Sequence, residues 1–173
     1  MPMLDAYIPE GALPAKAERE LLSKLTDLLL EHEGADPGNE AARSIAWVFV
    51  HRTEMYVAGL AAEAPRYRFI CQVPEGQYDD ERRAAVTAEM TRAVADAEDG
   101  AWPDPEFRVW VFTHEIADGT WGGAGRIFRL PDIAAFVAGE AAGEAAAQRL
   151  ARRRREHALA TLAAAGVEAG AAV

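Results

Sequence analysis

The residue with the most chemical reach in this sequence is its second. Proline follows the initiating methionine. Aminopeptidases trim methionine ahead of small residues, so the mature chain is expected to open with the secondary amine of Pro2. An α-amino group titrates near ~8. Against an apolar wall it loses solvation and its pKa falls, which leaves a neutral base at physiological pH. The residues that follow, Met3–Ile8, read as a β-strand, so the amine is expected at a fixed place on a sheet rather than on a frayed tail.

Other chemistries lack their parts. The four histidines (His32, His51, His114, His157) are scattered, and Cys71 is the only cysteine, so no metal-ligand spacing is present. Glu31-His32-Glu33 is missing the second histidine of a zinc motif. Ser23 and Ser44 are the only serines, and neither sits in a Gly-x-Ser-x-Gly setting. Gly122-Gly123-Ala124-Gly125 has the wrong spacing for a dinucleotide fingerprint and reads as a β-hairpin. A chemistry based on Pro2 requires no metal or organic cofactor.

Composition narrows the class. The chain has 173 residues, half of them hydrophobic and 27% charged, as expected of a globular domain. A net charge of −10 argues against nucleic acid as a partner. A lone cysteine suits a reducing compartment. There is no basic-then-apolar leader and no run of ~18 apolar residues. A cytoplasmic protein without membrane contact is the expectation.

The elements that must position Pro2 are written twice. Pro9-Glu10-Gly11 recurs as Pro74-Glu75-Gly76, 65 residues on. Trp47-Val48-Phe49 and His51 recur as Trp110-Val111-Phe112 and His114, 63 residues on. Several landmarks in order at nearly one spacing indicate a duplication. In each copy a short β-prone run (residues 3–8 and 67–73) stops at Pro-Glu-Gly. A helix follows, marked by Leu21, Leu25, Leu28 and Leu29 after Pro14 in the first copy, and by Val86, Met90, Ala93, Val94 and Ala97 after Asp79 or Asp80 in the second. Gly34 and Gly100 end these helices, and apolar runs at 45–50 and 107–112 read as buried strands. Strand, crossover helix and strand make a parallel pair of fixed hand. Two such units predict a mixed four-stranded α/β (α+β) sheet with both helices on one face. The other face, left bare, must be buried against another subunit, so an oligomer is expected. The alanine- and arginine-rich segment from Ile133 to Ala165 favours helix. Its arginine cluster, Arg149 and Arg152–Arg155, reads as a solvated face or as a contact for acidic surface. The expected division is residues 1–131 for the double unit and 132–173 for a helical extension.

On Pro2, on Ile8-Pro9-Glu10-Gly11, and on Phe112-Thr113-His114-Glu115-Ile116 leading into Trp121-Gly122-Gly123-Ala124-Gly125, the sequence resembles the tautomerase superfamily over about residues 2–131. The last stretch is similar to the strand-to-hairpin passage of 4-oxalocrotonate tautomerase, with Trp121 at the matching aromatic position. The doubled length resembles the cis-3-chloroacrylic acid dehalogenase group, malonate semialdehyde decarboxylase and macrophage migration inhibitory factor. The resemblance implies a homotrimer with Pro2 as catalytic base. It also has gaps. The substrate-binding arginine after the Glu-Gly turn is replaced by Ala12 in one copy and Gln77 in the other. The dehalogenase's working residues fall on Pro74, Gln77, Leu29, Phe112 and about Gly123. Dehalogenation therefore lacks its machinery, and the usual carboxylate clamp is missing.

Replacement cations for a small carboxylated substrate are Arg126, after the glycine-rich turn, and Arg108, two residues before Trp110, with Arg66 and Arg68 flanking the third strand. Trp121 and Phe112 are expected to keep the site dry, and His114 to donate a proton, although its twin His51 also fits a structural position. The resulting expectation is a tautomerase of small 2-oxo or enol acids, in which neutral Pro2 moves a proton and a cation such as Arg126 steadies the enolate. The rivals are a decarboxylase or hydratase with protonated Pro2 as acid, and a non-catalytic trimeric binding protein. Retention of Met1 would remove the base altogether.

Overall fold

Side-chain alternation in the first strand decides the architecture. In β1 (Met3–Pro9), Leu4, Ala6 and Ile8 are buried, while Met3, Asp5 and Tyr7 face the other way. The chain is described by a computed structural model over residues 2–167. After β1 come α1 (Ala15–His32), α2 (Glu40–Ser44), β2 (Trp47–Thr53), the short strands β3 (Tyr56–Val57) and β4 (Leu60–Ala61), and β5 (Tyr67–Pro74). Then follow α3 (Asp80–Glu98), the single turn α4 (Pro105–Arg108), β6 (Val109–Ile116), β7 (Trp121–Gly123), β8 (Arg126–Phe128), α5 (Leu130–Ala138) and α6 (Glu140–Ala164). Two compact units divide the chain, Met1–Ile116 and Ala117–Val173.

The first unit holds the mixed four-stranded sheet in the order β2-β1-β5-β6. β1 pairs with β2 in parallel, β5 with β6 in parallel, and the two central strands β1 and β5 run antiparallel. Each parallel pair is joined by its crossover helix, α1 or α3, as the doubled pattern predicts. The core lies between sheet and helices. Leu4, Ala6, Ile8, Tyr67, Phe69, Cys71 and Val109 from the strands meet Leu21, Leu25, Leu28, Leu29, Val86, Met90, Ala93 and Val94 from the helices. These helical residues recur at three- and four-residue spacing, which sets them on one stripe. α3 is capped as its sequence suggests, with Asp79 accepting from the Arg82 amide at 2.8 Å, and it stops where Asp99 and Gly100 turn left-handed. The outer strands start two residues later and end later than the apolar runs indicated, and they are half-exposed edge strands rather than buried ones, because one of their faces is the uncovered face of the sheet.

The second sheet face is bare and aromatic. Trp47 and Phe49 lie on it in an edge-to-face pair with centroids 6.3 Å apart, and Trp110 and Phe112 repeat the pair at 6.5 Å. All four are at least 40% exposed. His51 on the same face donates from Nε2 to the Asp5 carboxylate at 2.7 Å and stacks on Tyr7.

The second unit starts with the β7–β8 hairpin, so Gly122–Gly125 does form a hairpin, and the contacts group it with the C-terminal helices instead of with residues 1–116. The segment from Ile133 to Ala165, which favours helix by propensity, is helical and is divided between two helices. Gly139 (φ 87°) breaks it, and α5 and α6 fold back on each other around Leu130, Ala146 and Leu150. A side chain at Gly143 would stand 2.9 Å from the Pro131 carbonyl, so only glycine allows that approach. Among the described residues no helix is long and apolar enough to cross a membrane.

Candidate active site

Pro2 is buried at the head of β1. Because β1 is a central strand, its start is held from both sides. The Pro2 carbonyl accepts from the Trp47 amide at 3.2 Å, and Met3 stands opposite Gln72 of β5. The antiparallel register therefore brings Pro2 to the end of β5, where the chain turns through Glu75–Tyr78.

That turn is clamped by its neighbours. Glu115 of β6 accepts from the amides of Gly76 (3.0 Å) and Tyr78 (2.8 Å) through one oxygen, and from Arg83 of α3 (3.2 Å) through the other. The Glu75 amide donates to the Ile116 carbonyl at 2.9 Å, and Arg82 donates to the Gln77 carbonyl at 2.8 Å. Gln77 and Tyr78 are thereby held inside, 6% and 3% exposed. The Tyr78 hydroxyl has no hydrogen-bond partner among the described residues. Burial above all pushes its pKa up, against the pull of Arg83, so it stays a neutral O–H donor. Cys71 itself is a core thiol pushed up to about 12 by burial.

A buried acid completes the neighbourhood. Glu33 caps the C-terminal end of α1 and is 8% exposed. Burial pushes its carboxyl above the usual carboxylate range.

The other expected residues lie elsewhere. Phe112 and His114 are on the bare face of β6, with His114 opposite Gln72. Arg68 shares that face, its guanidinium 5.0 Å from the Tyr7 ring centroid and 5.4 Å from that of Phe112. Arg108 does not share the face of Trp110, because it closes the helical turn α4 before the strand starts. Its guanidinium is buried and occupied by Glu98 in a two-pronged ion pair (2.6 and 2.5 Å) and by the carbonyls of Pro103 and Pro65. It stands at the Tyr67 end of β5, whereas Pro2 stands at the Pro74 end. Arg66 donates to the Phe107 carbonyl at 2.9 Å. Trp121 and Arg126 belong to the second unit. There Trp121 is buried opposite Phe128, and the Arg126 guanidinium is 4.5 Å from the Phe128 centroid. The sequence reading missed Glu33, Gln77 as a buried residue, and Tyr78. For Glu33 a signal existed: it and Glu98 are 65 residues apart, the spacing of the repeat.

Two β-α-β units, antiparallel at the centre and with a strand head bearing proline, decide the comparison with known structures. The fold is that of the tautomerase superfamily. Pt0534 inactivated by 2-oxo-3-pentynoate is 23% identical, with a TM-score of 0.59 over 72% of this chain and 94% of its own. The fused 4-OT Q0, a symmetric trimer, is 20% identical, with a TM-score of 0.58 over 72% of this chain and 94% of its own. Macrophage migration inhibitory factor of Toxoplasma gondii is 15% identical, with a TM-score of 0.57 over 73% of this chain and 99% of its own. No protein-family model matches the chain. No curated protein sequence matches it either. Nearly the whole length of these tautomerase-fold structures is thus spanned by about three quarters of this chain.

Proposed function

We propose that this protein is a tautomerase of small 2-oxo or enol acids, in which the amine of Pro2, exposed by loss of Met1, takes a proton from the substrate and returns it elsewhere on the same molecule. The observation that carries this reading is the burial of Pro2 at the head of a central strand, beside a turn fixed by four hydrogen bonds. A base so held has its geometry set before substrate arrives. The Tyr78 hydroxyl supplies a neutral donor for the developing enolate oxygen. Arg126, Trp121, Phe112 and His114 stay candidates for substrate contact, with Arg126 as the carboxylate's partner. Arg108 is the weakest candidate, since Glu98 already holds its guanidinium.

The bare aromatic face supports a homotrimer. Four exposed aromatic side chains on one sheet face need a cover, and the fused 4-OT proteins Q0, F6 and R7 were solved as trimers.

A second reading, a decarboxylase or hydratase working with protonated Pro2 as an acid, keeps the same residue at its centre.

Covalent labelling tests the proline assignment common to both. Pt0534 was solved inactivated by 2-oxo-3-pentynoate. Incubated with that reagent, this protein should gain one whole reagent molecule on the peptide that starts at Pro2. The amine nitrogen bonds the alkyne carbon distant from the carbonyl, and the amine proton ends on the neighbouring carbon. Labelling confined to Cys71 or to lysine would overturn the assignment.

A further inference from the structure

The turn at the end of β5 carries no arginine of its own, but the helix that follows it leans one back over it. The arginines of the first unit differ in where they stand and in what holds them. Arg108 is locked to Glu98. Arg68 is the second residue of β5, at the other end of that strand from the turn Glu75–Tyr78. Arg83 stands at the turn but is held by Glu115 at 3.2 Å and lies 3.7 Å from Asp80. A substrate anion taking Arg83 would have to displace Glu115, which also holds the Gly76 and Tyr78 amides.

Arg82 differs from all of these. It is the third residue of α3, and helical side chains lean toward the helix N-terminus, which carries its guanidinium back over the turn. There Nη1 donates to the Gln77 carbonyl at 2.8 Å. The capping acid Asp79 accepts the backbone amide of Arg82, also at 2.8 Å. Among the described residues no carboxylate accepts from the Arg82 guanidinium, which is half-buried. A guanidinium has more N–H donors than one carbonyl uses, and a carbonyl does not neutralise its charge. The antiparallel pairing of Met3 with Gln72 brings Pro2 to this same turn.

We propose that Arg82 receives the carboxylate of the substrate on which Pro2 acts, its guanidinium aimed by the Gln77 carbonyl. The proposal rests on the reading of Pro2 as the working amine, and it adds to Arg126 a cation from the unit that holds Pro2. One N–H anchored on the turn leaves the planar group a defined edge, which matches a carboxylate with two parallel bonds. The substrate class follows: an acid whose carboxylate lies next to the reacting carbons, in preference to a neutral aldehyde or ketone.

Two reagents that differ in charge test it. 2-Oxo-3-pentynoate and its methyl ester carry the same alkyne beside the same ketone, and only the acid is an anion. With either, the Pro2 nitrogen bonds the alkyne carbon distant from the ketone, the displaced electron pair moves toward the ketone oxygen, and the amine proton ends on the neighbouring carbon. Second-order rates of labelling at the Pro2 peptide are read by mass. In Arg82→Gln the acid should label about tenfold more slowly or worse, the scale of a lost hydrogen bond between charged groups, while the ester keeps its wild-type rate. Arg82→Lys, which keeps the charge and loses the fork, should restore part of the acid's rate. Equal slowing of both reagents would overturn the proposal, since Arg82 would then only brace the turn. An unchanged acid rate in Arg82→Gln would overturn it too, as would a charge-dependent loss in Arg126→Gln alone. Charge-dependent labelling through Arg82 without turnover of an enol acid would sink the tautomerase reading and keep the carboxylate partner. No label at Pro2 from either reagent would sink the proline assignment and the proposal with it.

Discussion

The two β-α-β halves share one plan and have diverged where charge is placed. Glu18 of α1 grips Arg52 of β2 with two bonds of 2.6 and 2.7 Å, while in the second half Arg83 of α3 meets Glu115 of β6 at 3.2 Å. Glu18 corresponds to Arg83 and Arg52 to Glu115, so the same helix-to-strand bridge is built with its charges reversed. The reversal has a structural effect. A glutamate at the end of β6 can accept amides, and it fixes the turn at Gly76–Tyr78. An arginine at the end of β2 has no such capacity, and Glu10-Gly11 stays exposed. The buried acids diverge in the opposite sense. Glu98 is bonded by Arg108 and Tyr67, whereas the positions that match those two by repeat spacing in the first half are Ile45 and Pro2, whose side chains carry no hydrogen-bonding group. One half holds its buried acid in an ion pair, and the other buries its acid with a raised pKa.

Breaking the clamp should have the largest effect on stability. Arg108→Met strands the Glu98 carboxylate in the interior and should cost ~3–5 kcal/mol by chemical denaturation. Adding Glu98→Leu should recover much of that loss. A loss below ~1 kcal/mol would show that the pair is solvated. The pH dependence of stability distinguishes the halves next. Glu33 has a raised folded pKa, so the folded state binds the extra proton between the ordinary carboxylate value of ~4.3 and that raised value, and stability declines as pH rises through the window. Glu33→Gln should flatten that decline. Glu18 is lowered by its bond to Arg52, so its contribution is present above the ordinary value and is lost as pH falls through the folded one. Arg52→Gln should flatten only this acid limb, and thermal melts across pH would read both.

Smaller effects sharpen the comparison. Arg52→Glu should destabilise by under ~1 kcal/mol, since the pair is partly exposed, and the double exchange Glu18→Arg with Arg52→Glu should restore most of it by copying the second half. Each half is followed by a hairpin whose turn begins with a left-handed alanine, Ala58 (φ 51°) or Ala124 (φ 46°). Ala58→Gly and Ala124→Gly should each gain a few tenths of a kcal/mol in melts, because the strain lost exceeds the added unfolded-state freedom. A loss at either would mean that its methyl group packs.

The architecture was legible because duplication doubles every weak signal. Leu21, Leu25, Leu28 and Leu29 alone define a stripe, but their recurrence as Val86, Met90, Ala93 and Val94 fixes the order of elements and the bare sheet face. The place of Pro2 at the head of a strand was legible from the β-prone run that follows it. The roles of single arginines were not. Arg108 reads as an exposed strand residue two before Trp110, but a short helical turn rotates it inward to Glu98, and strand parity says nothing about a residue outside the strand. The break at Gly139 was masked by alanine, whose helix propensity tolerates one interruption in a long run. Glu33 looked like one acid among twenty-eight Asp and Glu residues, and its burial follows from tertiary packing at the helix end.

The central claim is that the Pro2 amine moves the proton. Its most direct test is the ketonisation of phenylenolpyruvate, followed by ultraviolet absorbance, with wild type and Pro2→Ala each verified by intact mass to have lost Met1. The account predicts turnover in the wild type that collapses by at least a hundredfold in Pro2→Ala, the scale of a lost general base. Equal turnover in the two proteins would contradict it.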